Sequence, residues 1–477
     1  MLFNSIDFLV FLTAFFLLWP VVRRSRNARF AYLVCASFIF YGWWQWQYLF
    51  LIVGSGLLDY GAAWGMRRKP RFKKAFLLIS IVGNIGSLAI FKYLDFLILN
   101  CNWIGGFFGD INPIPAAELL LPIGISFYTF QSMSYTIDVY RGRLAPTGNI
   151  LHFFAYLSLF PQLVAGPIVR AAELLPQLNQ VNPVSQTKQW RGLRLIVLGY
   201  FKKMVIADSL APLVNAAWNS PDVVNCSAYW WLIMLMFAYQ IYCDFSGYSD
   251  IARGLAKWMG YEFPLNFNHP YIASSVREFW GRWHISLSTW FRDYVYIPLG
   301  GSQRGMALGM RNMWITMVLS GFWHGAHWAF VMWGVLHAFY LTVERVTRWP
   351  DRLKRLPAGK TVSTLVTFVL VLLAWVFFRS GSVNPDLVAE GGFARALSVL
   401  ATMFNFGAYD SDALSSLSSD PMPLLFLGCI FARQLYFLFG LDRKHTLEGS
   451  RVFAVFDQAA MVLMIVACVY FRGQGSA

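Results

Sequence analysis

The chain has 477 residues, of which 57% are hydrophobic and 13% charged, with a mean hydropathy of +0.49. Soluble domains run at about 45–50% apolar and about 25% charged, so a purely soluble fold is excluded. The net charge of +15 does not indicate nucleic acid, because the basic residues fall in short loops between apolar runs, as in a positive-inside membrane protein.

Ile6 to Val22, Ala75 to Leu99 and Val452 to Phe471 approach or reach the roughly 20 residues a helix needs to cross the hydrocarbon layer. Trp43, Trp44 and Trp46 close an early segment as an interfacial anchor. Arg23, Arg24, Arg26 and Arg29 follow the first span, and Arg67 to Lys74 follow the third, which places both loops in the cytoplasm. Asp110 and Glu118 mark the opposite side, so the N-terminus is expected outside. Further on, Arg345 to Lys360 form a basic cytoplasmic stretch, and Asp386, Glu390, Asp410, Asp412 and Asp420 an acidic external one. Arg443 and Lys444 then make a basic turn before the last span. The expected architecture is an all-α polytopic membrane protein with roughly ten to twelve crossings. It is read as one membrane domain, with N-terminal spans over 1–140, a central core over 141–344 and C-terminal spans over 345–477.

The centre resists simple threading. Residues 151–169 lie between two basic stretches and contain Pro161, Gly166 and Pro167, which predicts a broken or re-entrant element. The apolar run 312–342 has the same parity problem, and a break near Ser320 and Gly321 would solve it.

Five of the seven histidines, at 269, 284, 324, 327 and 337, lie in one stretch rich in ionisable groups, where membrane-depth charges point to function. His324 sits in LSGFWHGAHWAFVMWG, whose ionisable side chains are His324 and His327 alone. An imidazole in apolar surroundings stays neutral, which suits a general base. The H-G-A-H spacing could face a metal, but it lacks the glutamate of H-E-x-x-H, and no metal is expected. The six cysteines form no C-x-x-C pair. His152 and His445 lie outside this stretch, and their substitution is expected to be nearly silent.

Four blocks carry a family resemblance: FPQLVAGPIVR (160–170), YCDFSGYSDIARG (242–254), EFWGRWHISLSTWFRDYVYIPLGG (278–301) and SGFWHGAHWAFVMWG (320–334), with FYGWW and LDY upstream. In these the sequence resembles the bacterial branch of the membrane-bound O-acyltransferase family, which modifies alginate, peptidoglycan or teichoic acid. The resemblance implies a ring of tilted helices around a tunnel, a catalytic histidine at His324 and a second polar position at His284. Acetyl-CoA would be the donor, with no permanently bound cofactor. Arg277, Arg282, Arg292, Arg304 and Arg311 are candidates to hold its phosphates, and Trp283, Ser288, Asp244, Gly166, Pro167 and Trp323 are further candidates for the donor or substrate site. It also implies an extracytoplasmic SGNH-type partner that finishes transfer to an exported polysaccharide, and placement in the bacterial inner membrane. Two other readings remain: D-alanyl transfer from a carrier protein to teichoic acid, and a transporter relaying protons through His284 and His324.

Overall fold

The computed structural model describes residues 1, 3–108, 112–164, 166–383, 391–438 and 451–474. Asp110, Asp386, Glu390, Arg443, Lys444 and His445 lie outside these residues. All regular structure among the described residues is helical. The first apolar run forms a helix over Ile6–Val22, started by the Ser5 hydroxyl, which accepts the Phe8 N–H at 3.1 Å.

Eight helices position the buried polar groups and the candidate site: α1 (Leu49–Arg68), α2 (Lys73–Leu88), α3 (Ile125–Tyr140), α4 (Ser227–Met259), α5 (Ile285–Phe291), α6 (Met306–His324), α7 (Trp328–Thr347) and α8 (Gly359–Ser380). Three helical stretches, Trp46–Arg68, Pro70–Gly105 and Gly359–Ser380, are long and apolar enough to cross a membrane, and the bent pair Ser411–Ser418 and Pro421–Tyr436 would make a fourth. Among the described residues, length and composition alone thus give three or four full-length spans, against the roughly ten to twelve crossings expected. Other apolar helices, such as Ile6–Val22, are shorter than a full crossing. Elsewhere the apolar runs are interrupted: π-helical turns occupy Phe201–Ala207 and Arg292–Tyr296.

Packing groups the chain into two compact units. One comprises Met1–Ile196 and Tyr248–Pro264, the other Val197–Gly247 and Leu265–Ala477. The 33-residue α4 contributes to both.

In the first unit α1, α2 and α3 meet around Asp59, which is completely buried. Its carboxylate accepts from the Ser80 and Ser132 hydroxyls and from Asn84 Nδ2 at 2.8 Å, so no lone polar atom faces hydrocarbon. The expected break around Pro161 is present. The helix Ile150–Leu157 ends, a single turn covers Phe160–Leu163, and the chain is non-helical from Gly166 until Ala171–Asn179 begins. A Cβ on Gly166 would stand 2.4 Å from Gln162 Cα.

His152 has a structural role in the first unit. It is buried, stacked on Phe30 at 4.6 Å, with Nε2 donating to the Leu175 carbonyl at 2.9 Å and Nδ1 accepting from the Thr147 hydroxyl at 3.1 Å. His152→Ala is therefore expected to lower stability, while its effect on activity is still expected to be small. Leaving two buried groups unpaired costs about 1–3 kcal/mol each. Thermal unfolding of the variant should show a lowered Tm with unchanged activity per folded molecule; an unchanged Tm would contradict this role.

The second unit holds a core of fully buried tryptophans, Trp218, Trp230, Trp333 and Trp375. Within it α6 and α7 form a helical hairpin that folds the apolar run 312–342 back on itself. The break falls at Gly325–His327, four residues beyond the Ser320–Gly321 step expected from the sequence. Gly321 serves close approach instead: a Cβ there would lie 2.3 Å from the Phe330 carbonyl oxygen, and one on Gly334 would lie 2.5 Å from that of Met317. Small residues let the two backbones touch, as in other membrane helix pairs.

Candidate active site

His324 is the last residue of α6, half-buried at the tip of the hairpin. Three rings surround its imidazole, with centroids at 4.9 Å for Trp323, 5.1 Å for Trp333 and 5.0 Å for Phe378 of α8, all near edge-on. His327 points to a different task. Its Nδ1 accepts the Ala329 N–H at 3.0 Å and so caps the start of α7, which leaves that nitrogen no lone pair for a metal. Among the described residues no group of His, Cys, Asp and Glu is arranged to hold a metal ion.

His284 is 1% exposed and occupies a left-handed conformation (φ 41°) just before α5. Its Nδ1 lies 3.1 Å from Asn266 Oδ1, and the same oxygen meets the Ser286 N–H at 3.2 Å and the Ser286 hydroxyl at 2.9 Å. A backbone N–H can only donate, so the Asn266 atom it meets is the oxygen. His284 Nδ1 must then be the protonated nitrogen, leaving the lone pair on Nε2. The ring packs edge-on to Phe245 at 4.6 Å and lies 6.4 Å from Trp323. Trp323 thus touches both imidazoles, and the second unit brings His284 and His324 to one place.

The same unit holds a cavity of about 920 Å³. Arg277, Arg292, Arg345, Arg348 and Lys354 line it, against Glu344 and Asp351, which gives five positive groups to two negative. Its inner wall carries Trp280, Leu287, Thr316, Met317 and Ser320. Ser320 is four residues before His324 on α6, so it shares the face of that helix and lies about 6 Å lower along the axis. The cavity therefore runs from a basic mouth to within one helical turn of the imidazole.

Of the other expected site residues, Ser288 and Arg292 line this cavity, and the Ser288 hydroxyl donates to the Trp283 carbonyl at 3.1 Å. Arg292 also meets the neighbouring Asp293 at 2.7 Å. Arg282 is held away by Glu278 at 2.8 Å and by the Asn268 carbonyl at 3.1 Å. Burial raises the Glu278 carboxyl, but the Ser274 N–H and hydroxyl and the Arg282 guanidinium outweigh it and keep the group below its usual range. Asp244 is 2.8 Å from Lys203, which also binds Asp208 at 2.7 Å. Trp283 is a core ring, 5.1 Å from Phe267 and 5.0 Å from Trp375. Arg311 donates to Asn312 at 3.0 Å, and Arg304 is not among the lining residues. Gly166 and Pro167 belong to the first unit. Sequence reasoning misses Arg345, Arg348 and Lys354, which along the chain read only as topology signals, and Asn266, which carries no motif at all.

Residues 141–381 match the model of the membrane-bound O-acyltransferase family. The chain belongs to that family. It is 39% identical to the probable alginate O-acetylase of Pseudomonas putida over 87% of this chain and 82% of the relative. It is 35% identical to the peptidoglycan O-acetyltransferase of Helicobacter pylori, over 81% and 78%. It is 30% identical to the teichoic acid D-alanyltransferase of Streptococcus thermophilus, over 56% and 70%. The protein is thus a membrane O-acyltransferase, and the region matched contains both imidazoles and the whole cavity.

Proposed function

We propose that this chain takes an acetyl group from acetyl-CoA at the cytoplasmic face of the inner membrane and delivers it outward for O-acetylation of an exported cell-envelope polysaccharide. The observation that carries the reading is the cavity: a basic mouth suited to phosphates, a chamber of about 920 Å³ and an inner end one turn from His324. The acetylase relatives cover most of the chain, which favours an acetyl group over D-alanine. The basic loop 345–360 lies on the cytoplasmic side in this reading, and the N-terminus and the acidic loop around Asp412 lie outside.

The chemistry follows from the two imidazoles. The acceptor hydroxyl gives its proton to His324 as its oxygen attacks the thioester carbonyl carbon. The tetrahedral intermediate collapses, the C–S bond breaks, and the imidazolium returns the proton to the departing sulfur. His284 offers a lone pair at Nε2, so it accepts a hydrogen bond from a second, neighbouring hydroxyl or N–H of the acceptor and orients it while the attacking hydroxyl donates to His324. The same tautomer cannot donate to a developing oxyanion, which assigns that task elsewhere. The acceptor is the polysaccharide itself or an SGNH-type partner on the outer face that completes transfer.

Donor binding tests the reading. Two arginines that contact phosphate oxygens contribute about 1.5–3 kcal/mol each, so Arg345→Ala with Arg348→Ala should raise the KM for acetyl-CoA at least about tenfold with kcat little changed. Thiol release by the purified protein gives both constants. An unchanged KM would remove the nucleotide from this cavity, and turnover of a D-alanyl carrier protein in place of acetyl-CoA would reassign the donor.

A further inference from the structure

His337, on α7, has no part in the acyl transfer assigned to His324 and His284. It is completely buried, and neither ring nitrogen meets a hydrogen-bonding group of the chain. Its neighbours are rings: Phe279 stacks on it at 6.0 Å and 4°, while Trp280 and Trp333 stand edge-on at 5.0 and 4.9 Å. A neutral imidazole brings one donor and one acceptor, and both go unmade here. Phenylalanine would fill the same space without that penalty, so packing alone does not account for a histidine.

The two flanking indoles share the condition. Trp280 Nε1 and Trp333 Nε1 are inaccessible and meet no acceptor. In the same core the indoles of Trp218 and Trp375 are also without an acceptor, whereas Trp230 donates to the Val224 carbonyl at 2.8 Å and Tyr271 to that of Ala238 at 2.7 Å. Location gives the cluster its meaning. Trp280 forms part of the cavity wall, Trp333 packs against His324 at 5.1 Å, and the two indoles are 5.6 Å apart. Along α7, His337, Leu341 and Glu344 succeed one another at helical spacing, and the last two line the cavity. Two N–H donors and an imidazole therefore lie between the chamber and the base.

We propose that Trp280, Trp333 and His337 form the neck through which the acyl end of the donor reaches His324, hydrogen-bonding to the amide and thioester carbonyl of an acylated, amide-containing thiol arm. The inference rests on the acetyl-CoA reading of the cavity and adds to it the residues that hold the arm. Entry requires the Trp280 ring to turn from the wall. His337 then pairs with the arm's amide, and the indole N–H groups serve its carbonyl oxygens.

The purified full-length protein is assayed for thiol release with two donors, acetyl-CoA and the acetyl thioester of N-acetylcysteamine, which keeps one amide but no nucleotide. His337→Phe should fold with a Tm at or above that of wild type, because it removes unmade hydrogen bonds. It should lower kcat about tenfold or more with both donors, while the KM for acetyl-CoA stays within about threefold. His337→Gln, which keeps a hydrogen-bonding head, should recover most of the rate. A stable His337→Phe protein with wild-type kcat, or equal losses in the Phe and Gln variants, would overturn the proposal. If His337→Phe does not fold, Trp280→Phe, which deletes one N–H, is judged by the same rates. Wild-type protein that turns over neither thioester would overturn the donor reading and this one with it, whereas active wild type with an unaffected variant would overturn this one alone.

Discussion

His324→Ala is expected to lower acetylation of the exported polymer by about 10²-fold or more at matched protein levels, the usual contribution of a general base. The imidazole ends α6, touches Trp323, Trp333 and Phe378 and is half-buried, so a hydroxyl can reach it. Alanine removes the base and leaves the hairpin contacts at Gly321 and Gly334 untouched, so the protein should accumulate and insert normally. Loss within about twofold, measured as polymer-bound acetyl in cells, is far below that range and would exclude this imidazole as the base.

Gly321→Ala should be a severely damaging conservative change within the α6–α7 hairpin. The added Cβ would sit 2.3 Å from a backbone carbonyl oxygen, that of Phe330, and the Gly334 backbone is 3.1 Å away. Neither obstacle is a side chain that can swing aside, so α6 and α7 must part. Overpacking costs about 1–3 kcal/mol. Displacement of His324 adds a rate penalty, because a misplacement of about 1 Å can cost about 10²-fold. The variant should therefore show both a lowered Tm and a kcat loss out of proportion to the fraction unfolded. A variant with wild-type Tm and kcat would show that the helices tolerate separation.

The polytopic helical class is legible from hydropathy, and His324 from its position in an apolar run with a recognisable motif. Other features depend on contacts between distant segments. Ser320 and Gly321 resemble a helix breaker in sequence, yet they lie inside α6, because small residues also serve helix–helix contact; the turn comes at Gly325. Asp244 and Arg282 look along the chain like charges aimed at a donor, but Lys203 and Glu278 pair with them. Arg345, Arg348 and Lys354 register in sequence only as marks of orientation, since nothing along the chain shows that the end of α7 and the short helix after it bring them around a cavity begun by Arg277 and Arg292. Asn266, which sets the tautomer of His284, is 18 residues from it and lies in no regular element.

In the proposed reaction an acyl group enters from the basic mouth and leaves on the other face past His324. Sealed membrane vesicles of known orientation, given radiolabelled acetyl-CoA that cannot cross the bilayer, test this path. Inside-out vesicles, with the 345–360 loop facing the medium, should accumulate label in the lumen on polysaccharide or partner protein, and His324→Ala vesicles should not. Label accumulating in right-side-out vesicles instead, or equally with His324→Ala, would rule out this path and this base.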